Sequence, residues 1–186
     1  MTQEKKRILL AASDLAGVGH FRTIWAAQKI NENFSNDFYV EINTQIDFND
    51  REYLKSFDMI HFHRQLGPFE IIDELFKDLK QAGVLLVMDI DDYWEPPVTH
   101  PLYNIAIQEK LAEKITKTLR KSDVITTTTE IFANYIRKYN KNVVVMPNGL
   151  DMSHPMWKGQ DTKVNDRVRF GFAGGSCYDD KTEILT

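Results

Sequence analysis

The feature that most constrains the fold is a regular alternation of short apolar runs with longer segments of helical periodicity. The runs predicted to be strands are 7–12, 38–42, 57–63, 84–90, 123–127 and 143–146. The segments predicted to be helices are 21–33, 50–56, 68–81, 102–121 and 130–139. Apolar strands that alternate with helices form a parallel sheet covered on both faces. We therefore predict an α/β fold with a Rossmann-like, doubly wound parallel sheet.

The character of the chain changes after Asp151. Residues 1–151 contain the whole alternating pattern and are predicted to form one Rossmann-like domain. Residues 152–166 are rich in polar residues and turn formers, which is typical of a linker. Residues 167–186 contain one further apolar run and the loop Gly174-Gly175-Ser176, so we expect them to begin a second, incomplete domain.

Composition excludes several classes of protein. The formal net charge of −4 and the pI near 5.7 argue against a nucleic-acid-binding protein. Cys177 is the only cysteine, so the chain cannot form an internal disulfide, and a cytoplasmic location is expected. No segment approaches the roughly 20 apolar residues that a transmembrane helix needs. We therefore predict no transmembrane segment, and a peripheral membrane location stays open.

Ligands of open α/β sheets bind outside the carboxyl ends of the strands. The loop after the first strand contains Gly17 and Gly19, followed by His20 and Arg22. Glycines allow backbone N–H groups to approach an anionic or sugar ligand at a helix N-terminus. The same glycines also suit a plain turn that needs a positive φ. The neighbouring histidine and arginine favour the binding interpretation.

The third strand ends in polar side chains. Strand alternation places His61 and His63 on one face of the sheet, and Arg64 follows directly. Two histidines can contribute to a metal site, but the sequence offers no third ligand at a suitable spacing, so we predict no metal. A polar site at the edge and simple packing of His61 in the core remain as alternatives.

Three carboxylates follow the fourth strand, namely Asp89, Asp91 and Asp92. An unpaired buried carboxylate is costly, so each must face a cation, a hydrogen-bond donor or solvent. One interpretation is a Mg²⁺ or Mn²⁺ site, and a second is hydrogen bonding or general-base chemistry on a hydroxyl group. The third is helix capping or pairing with Arg64.

Five segments occur in an order that resembles the N-terminal half of group 1 nucleotide-sugar glycosyltransferases of the GT-B type. They are the glycine loop with Arg22, the strand 58–64, the segment 122–130, the segment 144–151 with its Pro-Asn-Gly turn, and the strand and loop 169–176. The resemblance covers nearly the whole chain. The chain departs from the family after the fourth strand, where an acidic run replaces a histidine that many members carry.

The resemblance implies a function and a set of site residues. The chain would be the acceptor-binding part of a glycosyltransferase that transfers a sugar from a nucleotide-sugar to a hydroxyl group of a glycan, lipid or protein. Asp89, Asp91 and Asp92 would be catalytic. The cleft and acceptor residues would be Gly17, Gly19, His20, Arg22, His63 and Arg64, and the donor-binding residues would be Gly174, Gly175 and Ser176.

The remaining implications concern partners and cofactors. The nucleotide-sugar would be a co-substrate, and no cofactor is expected. A complementing C-terminal chain would be a partner, because this part alone should be weak or inactive. The alternatives are a non-catalytic carbohydrate- or protein-binding module, one chain of a split glycosyltransferase, and a GT-A enzyme that binds Mg²⁺ or Mn²⁺ through Asp89-Ile90-Asp91.

Overall fold

The fold is built on a single parallel sheet. A computed structural model of the chain describes residues 4–13, 17–149, 152–155 and 158. Its strands are β1 (Lys6–Ala11), β2 (Phe38–Asn43), β3 (Met59–His63), β4 (Leu85–Asp89), β5 (Val124–Thr127) and β6 (Val143–Val145). They lie in the order β2-β1-β3-β4-β5-β6, and every neighbouring pair is parallel. The predicted α/β class with a Rossmann-like parallel sheet is confirmed.

Helices connect the strands. They are α1 (Gly17–Gly19), α2 (Trp25–Asn33), α3 (Arg51–Lys55), α4 (Ile72–Gln81), α5 (Tyr103–Gln108), α6 (Leu111–Lys121) and α7 (Glu130–Ile136). A π-helical turn, His20–Ile24, joins α1 to α2, and a 3₁₀ turn, Phe69–Ile71, precedes α4. No helix in the described part of the chain is long and apolar enough to cross a membrane.

The core is divided between the two faces of the sheet. The larger cluster packs α4, α6 and α7 against one face through side chains such as Leu75, Leu119 and Ile136. The smaller cluster packs α2 against the other face through Ala27, Ile8 and Val40. Helices therefore lie on both faces, as a doubly wound sheet requires.

The prediction of one long helix over 102–121 is wrong. Lys110 adopts a left-handed φ of 50°, which interrupts the helical hydrogen bonding and divides the segment into α5 and α6. The two parts also differ in burial, since Ile115 and Leu119 of α6 are in the core whereas Ile105 and Ile107 of α5 are exposed. Periodicity alone did not reveal the break because every residue in this segment is compatible with a helix.

The predicted linker and second domain fall largely outside the described residues. Residues 152–155 and 158 are described, and the ring of His154 lies 5.7 Å from that of Trp25. The loop Gly174-Gly175-Ser176 and the whole range 167–186 lie outside the description. The domain boundaries therefore stay predictions.

Gly83 ends α4 as the sequence predicts. Its φ is +84°, its N–H donates to the carbonyl of Lys80 at 3.0 Å, and the N–H of Val84 donates to the carbonyl of Leu79 at 3.0 Å. This pair of hydrogen bonds is a Schellman motif, in which a left-handed residue follows the helix.

We expect Gly83→Ala to lower the free energy of unfolding by about 1–2 kcal/mol, because a side chain disfavours the left-handed conformation. Urea denaturation measures the loss. Gly149→Ala is the matched control, since Gly149 has neither a positive φ nor a neighbour within 4 Å of an added Cβ, and it should change stability little. Equal losses in the two variants would contradict the prediction.

Candidate functional site

The sheet order creates a crevice at the carboxyl ends of β1 and β3. From β1 the chain crosses to β2 on one side, and it then returns to β3 on the other side. Connections that leave in opposite directions open the crevice in which doubly wound folds bind ligands. Polar side chains from the segments after β1, β3 and β4 meet here, and they form two connected clusters.

The first cluster is a buried ion pair between Arg22 and Asp89. Nε of Arg22 donates to Oδ2 of Asp89 at 2.9 Å, and Nη2 donates to Oδ1 at 2.5 Å. The two side chains are 4% and 1% exposed. The remaining Nη1 group donates to the carbonyl of Met146 at 2.6 Å and to Oδ1 of Asn148 at 3.0 Å. The guanidinium therefore links the carboxyl ends of β4 and β6.

Thr126 and His61 extend this network across the sheet. The hydroxyl of Thr126 donates to Oδ1 of Asp89 at 2.6 Å, so it accepts from Nε2 of His61 at 3.2 Å. Nδ1 of His61 is buried and has no hydrogen-bond partner in the described part of the chain. Burial lowers the pKa of His61, which keeps the ring neutral with its proton on Nε2.

The second cluster joins His63, Arg64 and Asp91. Nε2 of His63 lies 2.9 Å from Oδ1 of Asp91, and Nη2 of Arg64 lies 3.4 Å from the same oxygen. The carboxyl pKa of Asp91 is lowered to about 2: burial opposes the shift, and the hydrogen bond and charge of His63 together with the charge of Arg64 outweigh it. Asp91 is therefore an anion at neutral pH.

Arg64 is held in an unusual conformation. Its φ of 58° lies in the left-handed region, which is uncommon for a residue other than glycine. Its backbone N–H donates to the carbonyl of Asp89 at 2.9 Å, which connects the ends of β3 and β4. Nε of Arg64 is buried without a partner among the described residues. Backbone strain of this kind concentrates at functional sites.

The glycine loop packs as the entry to a helix. Gly17 begins α1 with a φ of +40°, and Gly19 is buried. The ring of His20 contacts those of Phe21 and Trp25, with centroids 5.7 and 4.9 Å apart. This arrangement directs Arg22 into the ion pair.

A cavity of about 350 Å³ lies beside the ion pair. Its lining includes Phe21, Arg22, Trp25, Met146 and Pro147. Its other lining residues include Lys29, so mainly aromatic and apolar side chains surround two basic groups.

The predicted site residues separate into groups. Arg22 and Asp89 form one cluster, and His63, Arg64, Asp91 and Asp92 form the adjacent one, in which Nη2 of Arg64 lies 3.4 Å from Oδ2 of Asp92. Pairing with Arg64, one interpretation of the acidic run, therefore occurs. In the described residues no group of three or more His, Cys, Asp and Glu side chains is arranged to hold a metal ion. The catalytic and cofactor assignments stay predictions.

Sequence reasoning missed the roles of Thr126 and Asn148. The sequence places Thr126 in a run of threonines suited to helix capping, and Asn148 in a turn. Both contact the buried pair because β5 and β6 lie beyond β4 in the sheet. Thr126 stands opposite Asp89 in the register, so strand order is the signal that would have identified it.

Comparisons with known proteins give little similarity. No family model matches the chain, and no curated protein matches it. A solved structure described as "Native KDPGal structure" is 9% identical over 81% of this chain and 76% of that chain, with a TM-score of 0.34. Similarity at this level does not define a fold or a reaction.

These comparisons contradict the predicted GT-B glycosyltransferase. Neither a family model nor a curated protein supports the resemblance. The physical reason is that the residues of these motifs serve the packing of the sheet and do not specify a reaction. Asp58, which begins the strand motif, accepts hydrogen bonds from Lys6 at 2.6 Å and from the N–H of Arg7 at 2.8 Å, and so pairs the starts of two strands. The sugar-transfer function is therefore not retained, and neither are the split-glycosyltransferase and GT-A alternatives.

We expect Arg22→Met or Asp89→Leu to lower the free energy of unfolding by about 3–5 kcal/mol, because each leaves a buried charge without its partner. The double variant should lose less than the sum of the two. Urea denaturation of the unaltered chain, the two single variants and the double variant completes a double-mutant cycle. Arg137→Met is the control, since its pair with Glu130 is on the surface and should contribute less than about 1 kcal/mol. Additive losses would contradict a direct pairing.

Stability should fall as the pH decreases below about 6.5, because the unfolded chain then protonates His61 whereas the folded chain resists it. The stabilisation is complete above the unfolded pKa and is lost on acidification. His61→Gln retains a donor for Thr126 without a titrating ring, so its stability should depend less on pH between about 6.5 and 5. Urea denaturation across this range tests the difference, and equal slopes would contradict it.

Proposed function

We propose that the chain is an enzyme in which His63, oriented by Asp91, acts as a general base on a hydroxyl group or a water molecule. The observation that carries the proposal is the 2.9 Å contact between Nε2 of His63 and Oδ1 of Asp91 at the crevice of the sheet. A carboxylate that holds a histidine in one tautomer is a recurring arrangement in general-base sites.

The protonation states support this role. Because the pKa of Asp91 is lowered to about 2, its carboxylate accepts the hydrogen bond and Nε2 of His63 carries the proton. In the neutral ring the lone pair is then on Nδ1. Within the described part of the chain Nδ1 has no hydrogen-bond partner, so it is available to a substrate.

The three aspartates have different surroundings, which suggests a division of roles. Both oxygens of Asp89 are occupied by Arg22 and Thr126, so we assign it to holding the edge together. Asp92 has a side chain that is 75% exposed and one long contact to Arg64. Asp91 is the carboxylate that contacts a histidine, and in this proposal it is a positioning residue.

The charge of the cluster limits the substrate. One guanidinium faces two carboxylates, so the charged side chains next to the His63 ring carry a net negative charge. An anionic substrate would be repelled, so a neutral, hydroxyl-bearing substrate or water is favoured.

A neutral chromogenic ester tests the general base. With p-nitrophenyl acetate, Nδ1 of His63 would take a proton from water as the oxygen attacks the carbonyl carbon and p-nitrophenolate leaves. We expect His63→Gln to reduce the rate by about 10²-fold or more, in the range of general-base catalysis. Asp91→Asn should reduce it less, because the base remains but its orientation is lost. Release of p-nitrophenolate measures the rate.

His100→Gln is the control, because His100 lies in the loop between β4 and α5, outside both clusters. Labelling with diethyl pyrocarbonate, read by mass spectrometry, gives a second measurement that does not depend on turnover. His63 should be modified and the buried His61 should be protected. Equal ester hydrolysis in His63→Gln and in the unaltered chain would refute the assignment.

A further inference from the structure

The turn after β6 contains an asparagine that is followed directly by a glycine. Asn148-Gly149 is the only Asn-Gly pair in the sequence. The carboxamide of an asparagine and the main-chain nitrogen of the next residue can close a succinimide ring, and the reaction is efficient because both groups belong to the same chain. Glycine favours ring closure, since it has no Cβ to crowd the nitrogen. The pair is therefore a place where the chain can modify itself.

The structure leaves this pair accessible. Both residues are exposed, and neither belongs to a helix or strand, whose hydrogen bonds would hold the main chain away from the geometry of the ring. A Cβ added to Gly149 would meet no atom of the described residues within 4 Å, so no tightly packed neighbour confines the turn. Water can therefore reach both the carboxamide and the nitrogen that must attack it.

Arg22 orients and polarises the carboxamide of Asn148. Its Nη1 group donates to Oδ1 at 3.0 Å. A guanidinium has donors and no acceptor, so it selects the oxygen and leaves Nδ2 directed away from the cation. Negative charge develops on this same oxygen when a nucleophile adds to Cγ, and a fixed cationic donor at that atom lowers the barrier to the addition. Asp89 holds the guanidinium in place through Nε at 2.9 Å, so it need not move during the reaction.

We propose that Asn148 deamidates spontaneously in the folded protein, with Arg22 stabilising the oxyanion. The nitrogen of Gly149 forms a bond to Cγ of Asn148, the bond from Cγ to Nδ2 breaks, and the proton of the Gly149 N–H leaves with Nδ2 as ammonia. Water then opens the succinimide. Cleavage between Cγ and the Gly149 nitrogen gives aspartate, and cleavage between the main-chain carbonyl carbon of residue 148 and that nitrogen gives isoaspartate.

The products change the charge of the cavity beside the ion pair. Arg22 and Gly149 line this cavity, which has a volume of about 350 Å³. In the aspartate product a carboxylate replaces the neutral acceptor of Nη1, so Arg22 is shared between two anions, the new one and Asp89. The isoaspartate product carries the same added charge and also lengthens the main chain after β6. This modification does not depend on the general-base chemistry proposed for His63.

Incubation of the folded chain at mildly alkaline pH tests the proposal, and mass spectrometry of its peptides measures deamidation at each asparagine. Asn142 is the internal reference, since it is also exposed but precedes a β-branched residue, Val143. We expect Asn148 to react at least about tenfold faster than Asn142, because branching next to the nitrogen hinders ring closure. Ion-exchange chromatography, with Asn148→Asp as the reference for the product, should show a more acidic form that accumulates at the same rate.

Two further measurements separate the chemistry from folding. Gly149→Ala should slow deamidation of Asn148 by about tenfold, because the added methyl group restricts the approach of the nitrogen, and its unchanged stability in urea shows that the fold is retained. The folded chain should deamidate at this residue faster than the chain unfolded in urea, since only folding places Arg22 at Oδ1. A rate at Asn148 no higher than that at Asn142, or a faster reaction in urea, would overturn the proposal.

Discussion

The buried ion pair between Arg22 and Asp89 is the interaction on which the carboxyl edge of the sheet depends. Removing either charge from water is expensive, and the cost is offset because four of the five guanidinium N–H groups and both carboxylate oxygens are hydrogen-bonded. Arg22 donates hydrogen bonds to Asp89, Met146 and Asn148, and the hydroxyl of Thr126 donates a further hydrogen bond to the Asp89 carboxylate. The requirement for this hydrogen bonding therefore fixes the positions of β4, β5 and β6 relative to the helix that follows β1.

The neighbouring cluster shows why this rigidity is useful. His63 is the last residue of β3, and Asp91 lies two residues after the end of β4. The N–H of Arg64 donates to the carbonyl of Asp89. The proposed base and its orienting carboxylate thus rest on the same strand ends that the ion pair holds. A general base must stay within hydrogen-bonding distance of its proton, so a fixed strand edge suits this chemistry better than a mobile loop.

The resemblance to glycosyltransferases shows where sequence reasoning goes wrong. The predicted motifs do mark real features, since Asp58 pairs the starts of two strands and His61 takes part in the buried network. These are requirements of a parallel sheet with crowded strand ends, and proteins of different function meet them with similar residues. The alternation of apolar strands and helices therefore predicted the α/β class correctly, whereas motif order predicted the family wrongly. The sequence analysis named Arg22, Asp89, His63 and Asp91 individually, whereas the pairings Arg22–Asp89 and His63–Asp91 were not predicted.

The sequence by itself determined the α/β class and the approximate limits of the strands and of most helices, because apolar periodicity and turn residues such as Gly83 act within a few residues of chain. It did not determine the break at Lys110, which depends on how α5 and α6 pack. Only the tertiary structure decided which polar groups share a partner, since strand order places Thr126 beside Asp89 and leaves β6 at an edge. Those contacts join residues tens of positions apart, and their free energy depends on burial that local sequence does not contain.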